Sequence, residues 1–163
     1  MSEAVSFPAR ARIVDAAGIM TPEFFRALQA IVRGIGSQPI GTVYMDGNAT
    51  STACTPSPAV IAGDAAPGML YAFTHSAGRL TYTGASAKVV TATVCASYST
   101  GPGNVGIGIS VHGAATMSRA TATGGFIAAQ VVVEMAPGDW LEAVVSNEES
   151  SSVTVTDLQL VAR

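Results

Sequence analysis

Lys88-Val89-Val90-Thr91-Ala92-Thr93-Val94-Cys95-Ala96-Ser97-Tyr98 decides the fold class. Side chains alternate across an extended chain with a period of two. Val90, Ala92, Val94, Ala96 and Tyr98 therefore fall on one face, and Thr91, Thr93, Cys95 and Ser97 on the other. The run predicts a long strand with one buried face and one polar face.

The same period continues in both directions. Downstream, Val105, Ile107, Ile109 and Val111 alternate with Gly106, Gly108, Ser110 and His112. Glycine costs stability inside a strand, so two at alternate positions imply close approach by another backbone or subunit, or a sharply curved sheet. Phe126–Met135 and Asp139–Ser146 flank Ala136-Pro137-Gly138-Asp139, whose central Pro-Gly fits a type II turn. The last strand, Val153–Val161, shifts its apolar phase from Val153 and Val155 to Leu158 and Leu160, which predicts a bulge beside Asp157.

Upstream, Ile40–Met45 reads as a strand. The stretch from Asn48 to Pro67 reads as a loop, because Thr55-Pro56-Ser57-Pro58 cannot sit in a central strand. Met69–Thr74 and Arg79–Thr83 read as a hairpin around Ser76-Ala77-Gly78. About eight strands with short turns and no helix between them predict an antiparallel sandwich, a jelly roll. The lack of crossover helices excludes a parallel α/β sheet.

A different period governs the N-terminus. Thr21 suits an N-cap and Pro22 the first helical position, and Gly34 and Gly36 follow Arg33 as breakers. Between them Phe24, Leu28, Ile31 and Ile35 step by four, three and four, and Phe25 and Val32 widen that stripe. A helix of about three turns is marginal alone in water. Its stripe must dock, either on the β-domain or, as an attachment and trimerisation device, on other copies or a larger assembly. The expected organisation is an extended arm and one short α-helix over residues 1–38, then a mainly β jelly-roll head over 39–163.

Composition narrows the function. Of 163 residues only 12% are charged, about half the usual share near 25%. Up to Gly36 four arginines face three acids, a net +1; beyond it four bases face eight acids, a net −4, and together these give the formal −3. Neither part holds the dense Lys/Arg stripe of a nucleic-acid binder. From Val89 to Val133 Arg119 is the only charge, which suits burial against a neighbouring subunit.

The N-terminus does not read as a secretion signal, and no apolar run is long enough to insert in a membrane. Cys54 and Cys95 are then expected as free thiols. Asn48-Ala49-Thr50 matches the glycosylation pattern, a chance match without secretion.

Candidates for chemistry are sparse. His75 lies near a turn and His112 ends a strand, and neither has a second ligand at metal-binding spacing. Gly101-Pro102-Gly103-Asn104-Val105-Gly106 leads into a strand and lacks the lysine of a phosphate loop. Asp139 and Glu142 near Trp140 could form a carboxylate pair, although Asp139 more simply closes the Pro-Gly turn. Glu148 and Glu149 read as a solvated loop. No catalytic, cofactor-binding or metal site is expected.

Several segments resemble the trimeric tumour necrosis factor-like and complement-type globular heads. They are Gly78-Arg79-Leu80-Thr81-Tyr82-Thr83-Gly84, the long Val/Ala/Thr strand, the Gly-rich strand 105–113, and Ala136-Pro137-Gly138-Asp139-Trp140-Leu141-Glu142 before a final Val/Thr strand. The opening Val14-Asp15, Gly18 and Thr21-Pro22-Glu23-Phe24-Phe25 is similar to the start of small phage virion proteins.

The resemblance implies a homotrimer with apolar inner sheets facing a threefold axis. Val105, Ile107, Ile109, Val111 and Tyr98 are the candidate interface residues. It implies a non-enzymatic bacteriophage virion protein, assembled in the host cytoplasm. The role would be a capsid decoration, head spike or short tail fibre, anchored on capsid or tail proteins and presenting its head to host-surface carbohydrate or protein. The rivals are a pure capsid cement protein without receptor binding and a non-viral trimeric carbohydrate- or protein-binding module. A glycan-processing enzyme is disfavoured for want of a clustered acidic site.

Overall fold

Alternating apolar and hydroxyl side chains from Ile40 onward fold into strands, with no helix among the described residues. The computed structural model describes residues 38–99, 103–113, 119–122 and 125–163, which from residue 39 on belong to the unit Pro39–Arg163. The strands are β1 (Ile40–Met45), β2 (Ser51–Thr52), β3 (Ala59–Val60), β4 (Ala66–Tyr71), β5 (Phe73–Ser76) and β6 (Arg79–Tyr82). They continue with β7 (Lys88–Ser99), β8 (Val105–Val111), β9 (Arg119–Ala122), β10 (Phe126–Met135), β11 (Trp140–Asn147) and β12 (Val153–Ala162). The expected helix and its stripe of Phe24, Phe25, Leu28, Ile31, Val32 and Ile35 lie outside the described residues.

Two sheets form a jelly-roll sandwich. One runs β10-β7-β12-β1-β4 with β2 added on β12; the other runs β5-β6-β11-β8-β9 with β3 added on β11. All of these pairings are antiparallel. The inward phase of each strand fills the space between the sheets. Val90, Val94, Leu160 and Val43 from the first sheet and Leu80, Ile107, Ile109, Leu141 and Val145 from the second are fully buried. Each such side chain contributes about 1.5–3 kcal/mol relative to exposure. Near one end, the Phe73 and Tyr82 rings pack at 5.4 Å. Gly41 lies beneath Phe73, where an added Cβ would come within 2.8 Å of the ring.

Local signals read from the sequence reappear in detail. The register of β12 on β7 shifts between Val155 and Asp157, the expected bulge. At the Pro-Gly turn Gly138 has φ 96°, and the Asp139 N–H donates to Ala136 O at 3.0 Å. This turn leads from β10 in one sheet to β11 in the other. The β5–β6 hairpin closes on Ala77 and Gly78, both at positive φ, as a two-residue loop that matches strand twist requires.

Three departures have physical causes. Met69–Thr74, expected as one strand, is broken at Ala72, whose φ of 58° turns the chain from β4 in the first sheet to β5 in the second. Hydrophobic periodicity carries no mark of a single left-handed residue. The stretch 48–67, expected as a loop, lends two short rungs, β2 and β3, to opposite sheets, and its end enters β4. Pro67 is tolerated there because β4 is an edge strand. A short strand, β9, pairs with β8 where none was expected.

Asn48 ties the long stretch down. Its Nδ2 donates to Val155 O at 2.9 Å and Ala62 O at 3.1 Å, its Oδ1 accepts the Thr50 N–H at 3.0 Å, and its own N–H reaches Thr156 O. Gly63 lets the amide pack closely, since a Cβ there would fall 2.6 Å from Oδ1.

Candidate functional site

The strand pairing places one set of side chains on the outer face of the first sheet. Phe126, Ser97 and Asp157 form one row; Ala128, Cys95, Gln159 and Tyr44 the next; then Gln130, Thr93, Val161 and Thr42. Val132 and Thr91 follow beside Ile40 and Tyr71, and Glu134 and Val89 close the series. Hydroxyl and apolar groups dominate, and the described charges are Asp157 and Asp46 near one end, Glu134 at the β10 edge and Arg163.

Apolar side chains stand out at two opposite borders of this face. At the β10–β7 border Val89, Phe126 and Val132 are each about two-thirds exposed; at the β1–β4 border Tyr44 and Tyr71 are half exposed. Between them lies an open groove of about 190 Å³ lined by Thr93, Cys95, Gln159, Val161 and Arg163. Exposed apolar surface of this kind, poor in charge, marks an association surface more often than a solvated one.

Asp157 is held differently from its neighbours. Its carboxylate accepts hydrogen bonds from Ser97 Oγ, from Thr156 Oγ1 at 2.9 Å and from the Gly47 N–H at 3.3 Å. These bonds keep its pKa below the ordinary carboxylate value. The bulge therefore carries a solvated carboxylate whose acceptors are already engaged.

The residues expected to form an interface are elsewhere. Val105, Ile107 and Ile109 are fully buried, Val111 and Tyr98 nearly so, and all five belong to the core between the sheets. Their side chains are covered within a single chain, so an interface has to be built from other residues. The signal for the outer face was present in β10, where Val131-Val132-Val133 breaks strict alternation and puts apolar groups on both sides. Val89 continues that edge across the ladder, opposite Glu134.

The possible chemical groups are tied into local contacts. Arg79 donates from Nε and Nη2 to Glu142 Oε1 at 2.8 and 2.7 Å and lies over Trp140 at 4.6 Å. His112 packs on Trp140 with ring centroids 4.2 Å apart and meets Asp139 Oδ1 at 3.2 Å. Asp139 Oδ2 accepts the Ala136 N–H at 2.8 Å. Each carboxylate thus has its own partner, Glu142 on Arg79 and Asp139 on His112, and Asp139 also closes the turn, so the two are not paired with each other. His75 Nε2 accepts the Gly78 N–H and closes the β5–β6 hairpin.

Among the described residues no group of three or more His, Cys, Asp and Glu could hold a metal ion. Cys54 and Cys95 are free, the first buried and with its thiol pKa pushed up by burial, the second half-buried on the outer face.

No protein-family model matches the chain, and no curated protein sequence matches it. Solved structures do share its architecture. Vertex protein P5 of PRD1 aligns with a TM-score of 0.56 at 10% identity, over 77% of this chain and 72% of that one. Murine APRIL at pH 8.5 aligns with a TM-score of 0.53 at 9% identity, over 75% of this chain and 98% of that one. Its structure at pH 8.0 gives 0.52, again at 9% identity and with the same coverage. At such identities the likeness is one of fold: the chain has the tumour necrosis factor-like jelly roll, an architecture found also in a phage vertex protein.

Proposed function

We propose that this chain is a non-enzymatic structural protein of a bacteriophage virion, a homotrimeric decoration, head spike or short fibre. The N-terminal arm and helix fasten it to a capsid or tail protein, and the jelly-roll head faces outward toward host-surface carbohydrate or protein. The observation that carries the reading is the outer face of the β10-β7-β12-β1-β4 sheet, which is poor in charge and bordered by Val89, Phe126, Val132, Tyr44 and Tyr71. A face of this kind is stabilised by covering it with a neighbour.

The arrangement of that face favours a ring. A twofold contact pairs one patch with itself, whereas a closed ring joins two different patches, one from each neighbour. Two apolar borders separated by a groove provide two different patches. The shared fold of PRD1 vertex protein P5 supports a place in a virion.

The test has two parts. The purified chain should have a solution mass near three times 16.4 kDa, and antibody to the head should label intact purified virions. A monomer at micromolar concentration would sink the trimer, and particles that lack the chain would sink the virion role.

A further inference from the structure

Asp46-Gly47 is the only Asp-Gly or Asn-Gly pair in the sequence, and both residues are exposed where the chain leaves β1 after Met45. The turn calls for the glycine. Its φ is 61°, a left-handed conformation that side chains disfavour, and an added Cβ would meet no atom within 4 Å. An aspartate followed by glycine is chemically labile, because the glycine amide has no side chain to shield its nitrogen. That nitrogen attacks Asp46 Cγ, its hydrogen leaves with the carboxyl hydroxyl as water, and a succinimide ring closes. Water then opens the ring at the main-chain carbonyl and leaves an isoaspartyl link through the β-carbon, with no net change in atoms.

We propose that Asp46-Gly47 is a latent modification site of this protein and that Asp157, at the β12 bulge, guards it against conversion to isoaspartate. The Gly47 N–H donates to Asp157 Oδ1 at 3.3 Å. Ser97 Oγ and Thr156 Oγ1 both donate to Oδ2, which leaves Oδ1 for the glycine. The nitrogen of a succinimide carries no hydrogen, so ring closure forfeits the bond to Asp157 outright. Asp157 also receives a side-chain hydrogen bond from Asp46. The carboxyl that donates it is the protonated one, which is also the form open to attack. Both reacting groups are therefore held by one side chain.

The neighbouring contacts show what the reaction would disturb. Met45 pairs with Leu158, and the Asn48 N–H donates to Thr156 O at 2.9 Å. An isoaspartyl link adds one main-chain carbon between these two anchors. It would push the Asn48 amide away from Val155 O and Ala62 O, the bonds that fasten the long stretch 48–67. The bulge thus keeps a chemically weak point and the clamp beside it in place together.

The test incubates the full-length chain and its variants at physiological temperature and neutral pH, and counts isoaspartate at residue 46 by peptide mapping. Asp157→Ala has no acceptor and should form it about fivefold faster than the wild type, the factor given by loss of one net hydrogen bond. Asp157→Asn keeps an acceptor oxygen and should stay near the wild-type rate, whereas mere loosening of the bulge would speed both variants alike. Hydrogen exchange at the Gly47 amide should follow the same order, fast in Asp157→Ala and slow in the other two. Equal rates in wild type and Asp157→Ala, a slower rate in Asp157→Ala, or equal acceleration in both variants would each overturn the guarding role.

Discussion

Replacing Ile107 separates the core from the interface most cleanly. The side chain is fully buried, on β8 opposite Val145 of β11 and within the cluster between the sheets. Ile107→Ala removes buried methyl and methylene groups and leaves a cavity, which costs about 2–5 kcal/mol. For a chain of this length each kcal/mol lowers Tm by roughly 2–4 °C, so the expected fall is about 4–20 °C.

That loss should be the same at any protein concentration, since it belongs to the protomer. Val132→Asp is the counterpart. At 65% exposure it should change protomer stability by under about 0.5 kcal/mol, yet shift the oligomer toward smaller species and remove the dependence of Tm on concentration that association gives the wild type. Circular dichroism melts at two concentrations, combined with light scattering, read both. If Ile107→Ala kept the wild-type Tm and instead abolished association, β8 would be facing a neighbour and the assignment of the core would be wrong.

Other outcomes follow from local contacts. The folded pKa of Asp157 is depressed, first by Ser97 and then by Thr156 and Gly47, so its carboxylate adds stability above the ordinary value of 3.8 and loses it as pH falls through the folded value. The stability gap between wild type and Asp157→Asn should then hold at neutral pH and close in acid; a gap that widens in acid would contradict this. Gly41→Ala places a Cβ 2.8 Å from Phe73 Cγ and 3.1 Å from its Cβ, the fixed root of the ring, and should cost about 1–3 kcal/mol in urea unfolding. Arg79→Met leaves the nearly buried Glu142 without its cation and should cost about 1–3 kcal/mol. It should also alter the emission of Trp140, the one tryptophan of the chain; adding Glu142→Leu should recover much of the stability.

Strand identity was legible wherever alternation was strict. β1, β7 and β8 follow directly from it, and the Asp157 bulge from a slip in phase. The division of strands between sheets was not legible, because it turns on backbone angles: Ala72 at positive φ is an alanine like any other in composition. Nor could periodicity tell a side chain buried inside one protomer from one buried between protomers. Val105, Ile107 and Ile109 carry the same signature in either case, and only the position of β8 opposite the first sheet assigns them to the core. The groove was invisible for a related reason. It is assembled from β7 and the end of β12, far apart in sequence, and its residues Thr93, Cys95, Gln159, Val161 and Arg163 share no motif.

The clamp at Asn48 bears on how this protein can be made. A glycan on the Asn48-Ala49-Thr50 sequon would be attached through Nδ2, the same nitrogen that holds Val155 O and Ala62 O. Folding and sugar transfer thus compete for one atom. In a secreting expression host a chain that folds first presents no acceptor, and a chain modified first has lost the fastening between its longest loop and its final strand.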